Sequence, residues 1–138
     1  MPRASGADRQ NRPKGDTVMT NTSGARLEPD MQECAKNCAD CQRVCIETAS
    51  HCLALGGRHA EPRHIELLLD CADICEVSLR FLARSSEYHH DTCSVCSEIC
   101  RDCAESCEQI TMDAMMKECA DACRRCAESC DRMARKAA

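Results

Sequence analysis

The chain has 138 residues, of which 16 are Cys, 1 is Tyr, 1 is Phe and 0 are Trp, and its formal net charge is -5. That length suits one domain, while an acidic balance without aromatic stacking platforms argues against any nucleic acid partner. No apolar run approaches the roughly 18 residues that span a bilayer, and residues 1–30 hold no apolar h-region, so the expectation is no membrane helix, no secretory signal and a cytoplasmic location.

In chain order, residues 1–28 are rich in Arg, Gly, Ser, Asn, Asp and Thr, with Pro2 and Pro13, and the expectation is a disordered tail ahead of a domain over 29–138. A first helix is expected over 29–55, opening at Pro29 and stopped by Gly56-Gly57. Its stripe is Met31, Cys34, Cys38, Cys41, Cys45, Thr48, Cys52 and Leu55. A second helix is expected over 62–84, opening at Pro62, with His64, Leu68, Cys71, Cys75, Ser78 and Leu82 in register. Ser85-Ser86 supplies a cap for a third over 87–110, whose stripe is His89, Cys93, Cys96, Cys100, Cys103, Cys107 and Ile110. Thr111 is the expected N-cap of a fourth over 112–135, with Asp113 in its first turn and Met112, Met116, Cys119, Cys123, Cys126, Cys130 and Met133 on its stripe. Short connections make neighbours antiparallel, so the fold class is an all-α, up-down four-helix bundle.

What organises these helices is a repeat. The pattern C-x3-C-x2-C-x3-C occurs at Cys34 to Cys45, Cys96 to Cys107 and Cys119 to Cys130, and a fourth copy starts at Cys71 and Cys75 before Ser78 and Leu82 replace its last two cysteines. Steps of four and three average the helical repeat, so each copy lays its sulfurs along one stripe. Cys52 and Cys93 keep the same register. A bundle normally buries Leu, Ile and Val along that seam; here the core is expected to be lined with thiol. The charged residues between the cysteines, among them Lys36, Asp40, Arg43, Glu98, Arg101 and Arg124, form the wet face.

In a reducing compartment this cysteine density points to metal rather than to a disulfide scaffold. Residues four apart on a helix have Cβ atoms about 5–6 Å apart, and a linear S-metal-S bridge with bonds near ~2.3 Å spans about 4.5 Å, so one C-x3-C pair can hold a two-coordinate ion. Soft thiolate, thioether and imidazole ligands without a carboxylate favour Cu(I). Zinc is the nearest competitor, needing four ligands that a straight stripe supplies only across helices. At the end formed by the first and third interhelical loops, the stripe offers His64, Met112 and Met116, with Met115, Glu61, His51 and His59 nearby, a set of weaker ligands suited to an entry mouth. The opposite end offers Met31, His89 and Met133 beside Tyr88 and His90.

The run from Glu118 to Cys130, ECADACRRCAESC, and its sister repeats resemble the bacterial copper storage proteins, over about residues 30–135. The resemblance implies the cytosolic branch of that family, many Cu(I) ions per protomer held by the sixteen cysteines, and a homotetramer. Copper would be delivered by a copper chaperone or a small thiol. Relatives of that branch tend to carry histidines near the last interhelical loop, where this chain has Ile110, Met112, Met115 and Met116. The expected function is copper storage and not catalysis, since no nucleophile is paired with a base and an acidic orienter. A zinc or general thiolate-metal buffer, or a structural bundle acting as a thiol redox reservoir, are the alternatives.

Overall fold

The computed structural model describes residues 27–136, and among them finds four α-helices, one short 3-10 helix and no strand. The tail expected over 1–28 lies outside the described residues except for Leu27 and Glu28, as do residues 137 and 138 of the expected domain. Helix α1 spans Pro29–Leu55, with the proline at the start of its first turn, where its missing N–H costs nothing. Gly56 and Gly57 end it at φ 73° and 60°, backbone that glycine adopts without a Cβ clash. The Gly57–Ala60 3-10 helix then leads to α2, Pro62–Ala83, which also opens on proline.

Helix α2 is closed by Ser85 N–H donating to Leu82 O at 3.0 Å and Ser86 N–H to Phe81 O at 2.9 Å, with Ser85 at φ 54°. Helix α3 covers His89–Glu108 rather than the expected 87–110, because Ser86 turns the chain first and accepts the Tyr88 N–H at 3.1 Å. Helix α4 is Ala114–Arg135, two residues later than expected. Its N-cap is Asp113 and not Thr111: Asp113 Oδ1 accepts the N–H of Met115 at 2.9 Å and of Met116 at 3.3 Å. A carboxylate matches the positive end of the helix dipole better than a hydroxyl does. Met112 is thereby left outside the helix at φ 66° and fully exposed, off the inward stripe on which the spacing had put it. Leu55, also expected on the stripe, ends its helix exposed as Gly56 turns the chain away.

Each helix packs on the next, and α4 closes the ring against α1. Exposed pairs such as Lys36–Asp40, Arg43–Glu47 and Lys117–Asp121, all spaced i to i+4, occupy the outer faces and contribute little to stability. The interior is made by the repeat: every cysteine is buried, at 0% or 1% relative exposure. The largest fully buried side chains besides the thiols are Leu68, Leu82, Met116 and Met133. Cysteine packs here as a small hydrophobe, with Leu82 and Met133 towards one end of the bundle, Met116 towards the other and Leu68 between His64 and the thiols of α2.

Candidate metal centre

The i, i+3, i+4 spacing turns each repeat into a column, and the antiparallel arrangement stacks the columns into shared layers. At mid-length all four helices contribute. Cys71 Sγ lies 3.5 Å from Cys100, 3.7 Å from Cys41 and 3.9 Å from Cys123, and Cys41 lies 3.7 Å from Cys123. The adjacent layer joins Cys38, Cys75, Cys96 and Cys126, with Cys75 at 3.7 Å from both Cys96 and Cys126 and Cys126 at 3.7 Å from Cys38. Several sets of four, such as Cys75, Cys96, Cys100 and Cys126, have all their sulfurs within 4.8 Å of one another.

Outside these two layers α2 stops supplying thiols. Towards the start of α1, Cys130 lies 3.6 Å from Cys34 and 3.7 Å from Cys38, while α2 offers Ser78 and Leu82, both fully buried. Ser78 donates to the Thr92 carbonyl at 3.2 Å. Met133 is buried there, Met31 is half-buried, and His89 is tied up with Nδ1 2.7 Å from Ser86 O. In the other direction Cys45 meets Cys119 at 3.8 Å and Cys123 at 3.7 Å, and Cys103 joins them as a four-sulfur set, with Leu68 at the α2 position.

At the loop end the donor type changes. Cys52 Sγ lies 3.5 Å from His64 Nε2 and 3.6 Å from Met116 Sδ, with Cys107 buried at the same end. His64 is oriented by Ser106, whose Oγ is 2.7 Å from its Nδ1. Thus His64 and Met116 are brought to the thiols, whereas Met112 is not. Ser106 was not anticipated: it sits on the outward side of Cys107 and no spacing rule marks it. The link from Asp113 to His51 in the last turns of α1 and to His59 in the 3-10 helix was missed too, although an acidic residue just ahead of a helix was a readable capping signal.

Bonds near ~2.3 Å put two sulfurs about 4.6 Å apart on a linear ion, about 4.0 Å on a trigonal one and about 3.8 Å on a tetrahedral one. The same-helix pairs Cys41–Cys45, Cys96–Cys100 and Cys126–Cys130 stand at 3.9, 3.8 and 4.0 Å, so the column is spaced for thiolates shared among several ions and reaches linear coordination through small side-chain rotations. Within each cluster, hydrogen bonds from neighbouring thiols lower Cys41, Cys96 and Cys119. Those same networks, and then burial, push up Cys45, Cys75 and Cys123. Burial, with the Asp113 charge nearby, pushes Cys52 up to about 11. Burial lowers His64 from its ordinary 6.5, so its ring is neutral near pH 7 and has a lone pair free for metal.

Comparison with known proteins gives one consistent answer. The profile of the family described as copper storage protein, Csp, matches residues 27–135. A protein of Nitrosospira multiformis of known structure is 44% identical, covering 76% of this chain and 94% of that one, at a TM-score of 0.72. The Cu(I)-bound copper storage protein BsCsp3 of Bacillus subtilis is 31% identical, covering 76% and 98%, with a TM-score of 0.71. A cytosolic copper storage protein from Streptomyces lividans, carrying five coppers, is 26% identical over 79% and 95% at a TM-score of 0.68.

Proposed function

Since this chain belongs to the copper storage protein family, we propose that it stores Cu(I), many ions per protomer, on the thiolates of its sixteen buried cysteines. The observation that carries this reading is the continuity of the sulfur column, whose neighbours lie 3.5 to 4.0 Å apart through the middle of the bundle. The Streptomyces relative, of the same fold, holds five coppers.

Copper enters at the loop end in this reading. Met112, fully exposed at the rim, makes the first contact. His64, Met116 and Cys52 take the ion next, since they offer one imidazole and one thioether within 3.6 Å of one thiol. The ion then passes inward by exchange between neighbouring sulfurs and displaces a proton from each thiol it binds. Storage needs no catalytic group, and the chain is read as a reservoir rather than an enzyme. Among the described residues no helix is long and apolar enough to cross a membrane. The Streptomyces relative is described as cytosolic, and on that likeness the chain is read as a cytoplasmic store, supplied by a copper chaperone or small thiol. Exposed Ile46, Leu53 and Leu69 provide apolar surface for the tetramer that the resemblance implies.

The test is an anaerobic titration of reduced, metal-free protein with Cu(I) against a strong competing chelator, repeated with Zn(II). Uptake of at least one Cu(I) per two thiols, with zinc bound weakly, supports the store. Retention of zinc in four-thiol sets with Cu(I) lost to the competitor would make the chain a zinc buffer. Thiol loss to disulfide in air without metal uptake would favour the redox reservoir.

A further inference from the structure

Three side chains that the sulfur column does not use converge beside its loop end. His51 Nε2 lies 3.0 Å, and His59 Nε2 2.9 Å, from one and the same oxygen, Asp113 Oδ2. Each nitrogen faces a carboxylate, so each carries its proton. The rings meet edge to face with centroids 5.9 Å apart. They come from different elements, His51 from the last turns of α1 and His59 from the 3-10 helix that Gly56 and Gly57 fold back. Asp113 is fixed independently, its Oδ1 held by the Met115 and Met116 N–H groups.

As a hydrogen-bonding arrangement it is complete, with the two lone pairs of Oδ2 facing one ring nitrogen each. The same atoms also offer a ligand set, two imidazole nitrogens around one carboxylate oxygen. Zinc bonds of about 2.0–2.2 Å to imidazole and carboxylate place neighbouring donors about 2.9–3.5 Å apart, which is the spacing seen from each ring nitrogen to Oδ2. The side chains are 26%, 22% and 15% exposed, so water can complete the coordination shell from the open side. The carboxylate is already oriented through its second oxygen, as ligating carboxylates commonly are.

We propose that His51, His59 and Asp113 form a binding site for a divalent cation of the zinc class, separate from the thiol column. The donor chemistry sorts the metals: Cu(I) goes to thiolate, while two imidazoles and a carboxylate suit Zn(II), Co(II) or Cu(II). An ion here ties the turn after α1 to the start of α4, next in sequence to Cys52. The site does not depend on the copper reading.

The experiment uses the full chain with its thiols first saturated with Cu(I) under anaerobic conditions, then titrated with Co(II) as a coloured probe and back-titrated with Zn(II). One Co(II) per chain should bind, with ligand-field bands but no sulfur-to-metal charge transfer, and Zn(II) should displace it. His51→Ala and His59→Ala should each weaken that binding by about tenfold or more while keeping wild-type helicity and Cu(I) capacity. Absence of bound Co(II), a thiolate charge-transfer band, or unchanged affinity in both variants overturns the proposal. A Zn(II) titration of the metal-free protein followed by histidine ring NMR reads the same site without copper: shifts of both His51 and His59 support it, and silence of both rings at zinc excess sinks it. Failure to take up Cu(I) would count against copper storage alone.

Discussion

The two ends of the bundle finish the same sulfur column in opposite ways. At the loop end it runs into Cys52, His64 and Met116, a graded set of soft donors within 3.6 Å of one thiol. At the other end it runs into Leu82 and Met133, both buried, with Ser78 turned to the Thr92 carbonyl and His89 to that of Ser86. The difference originates in α2, which lines the middle with Cys71 and Cys75 but places His64 towards one end and Leu82 at the other. One helix thus gives a symmetric repeat a direction: a mouth with ligands and a base without an open path between them.

The largest expected effect falls on the base. Leu82→Ala removes a fully buried side chain and should cost about 2–5 kcal/mol of stability, the usual range for such a truncation. His64→Ala should cost clearly less, because it empties a site that already abuts Ser106 and the rim. Denaturant unfolding of the two reduced, metal-free variants measures this, and equal costs would mean that the mouth is as tightly packed as the base.

The second effect is kinetic. In a His64→Ala, Met116→Leu double variant the column is intact but its imidazole and thioether entry donors are gone, so Cu(I) loading should slow measurably, with the final capacity nearly unchanged. Met133→Leu at the base should leave loading at the wild-type rate. Stopped-flow uptake from a weak Cu(I) donor separates the cases, and slowing by Met133→Leu instead would place the mouth at the wrong end.

Much of this architecture was readable from spacing. Alternate steps of four and three fix a helical stripe wherever they persist, so the cysteines from Cys34 to Cys130 went to the interior, and Pro29, Pro62 and Gly56-Gly57 marked helix limits. The pattern failed where a local interaction overrode it. Met112 continues the fourth stripe on paper, yet Asp113 caps the helix and leaves Met112 in the solvent. Contacts across the bundle were beyond any local rule. Ser106 reaches His64 over 42 positions, and Asp113 reaches His51 over 62, and neither separation leaves a periodic trace.

Capture and retention should also differ in their response to pH. Cys52 is pushed up to about 11, so across the neutral range its thiol is protonated and Cu(I) must expel that proton. Retention at each such thiol should therefore weaken about tenfold for each unit the pH falls. His64 is shifted the other way, below 6.5; it is already neutral at pH 7 and binds without releasing a proton. Initial capture at the mouth should be flat between about pH 7 and 9 while equilibrium retention climbs over the same interval. Parallel pH profiles for rate and retention would show that thiols, and not His64, make the first inner contact.

The smallest effect would come from extending the thiol layers of α2. Leu68 is fully buried in register between His64 and Cys71, level with Cys45, Cys103 and Cys119 on the other helices, three of the four sulfurs of a set that Cys123 of the mid-length layer completes. Leu68→Cys would complete there the four-helix layer that Cys41, Cys71, Cys100 and Cys123 form at mid-length. Cysteine keeps a heavy atom at the γ position but leaves the space of the two δ-methyls empty, so the cost should be about 2 kcal/mol, at the low end of the leucine-to-alanine range. Because neighbouring sulfurs share ions, one more thiol should raise the plateau of the Cu(I) titration by no more than about one ion per chain. A plateau that rises shows that α2 limits capacity and that Leu68 trades storage for packing. An unchanged plateau at retained stability would mean that the three existing sulfurs already saturate that layer, and the asymmetry of α2 would then concern direction of travel alone.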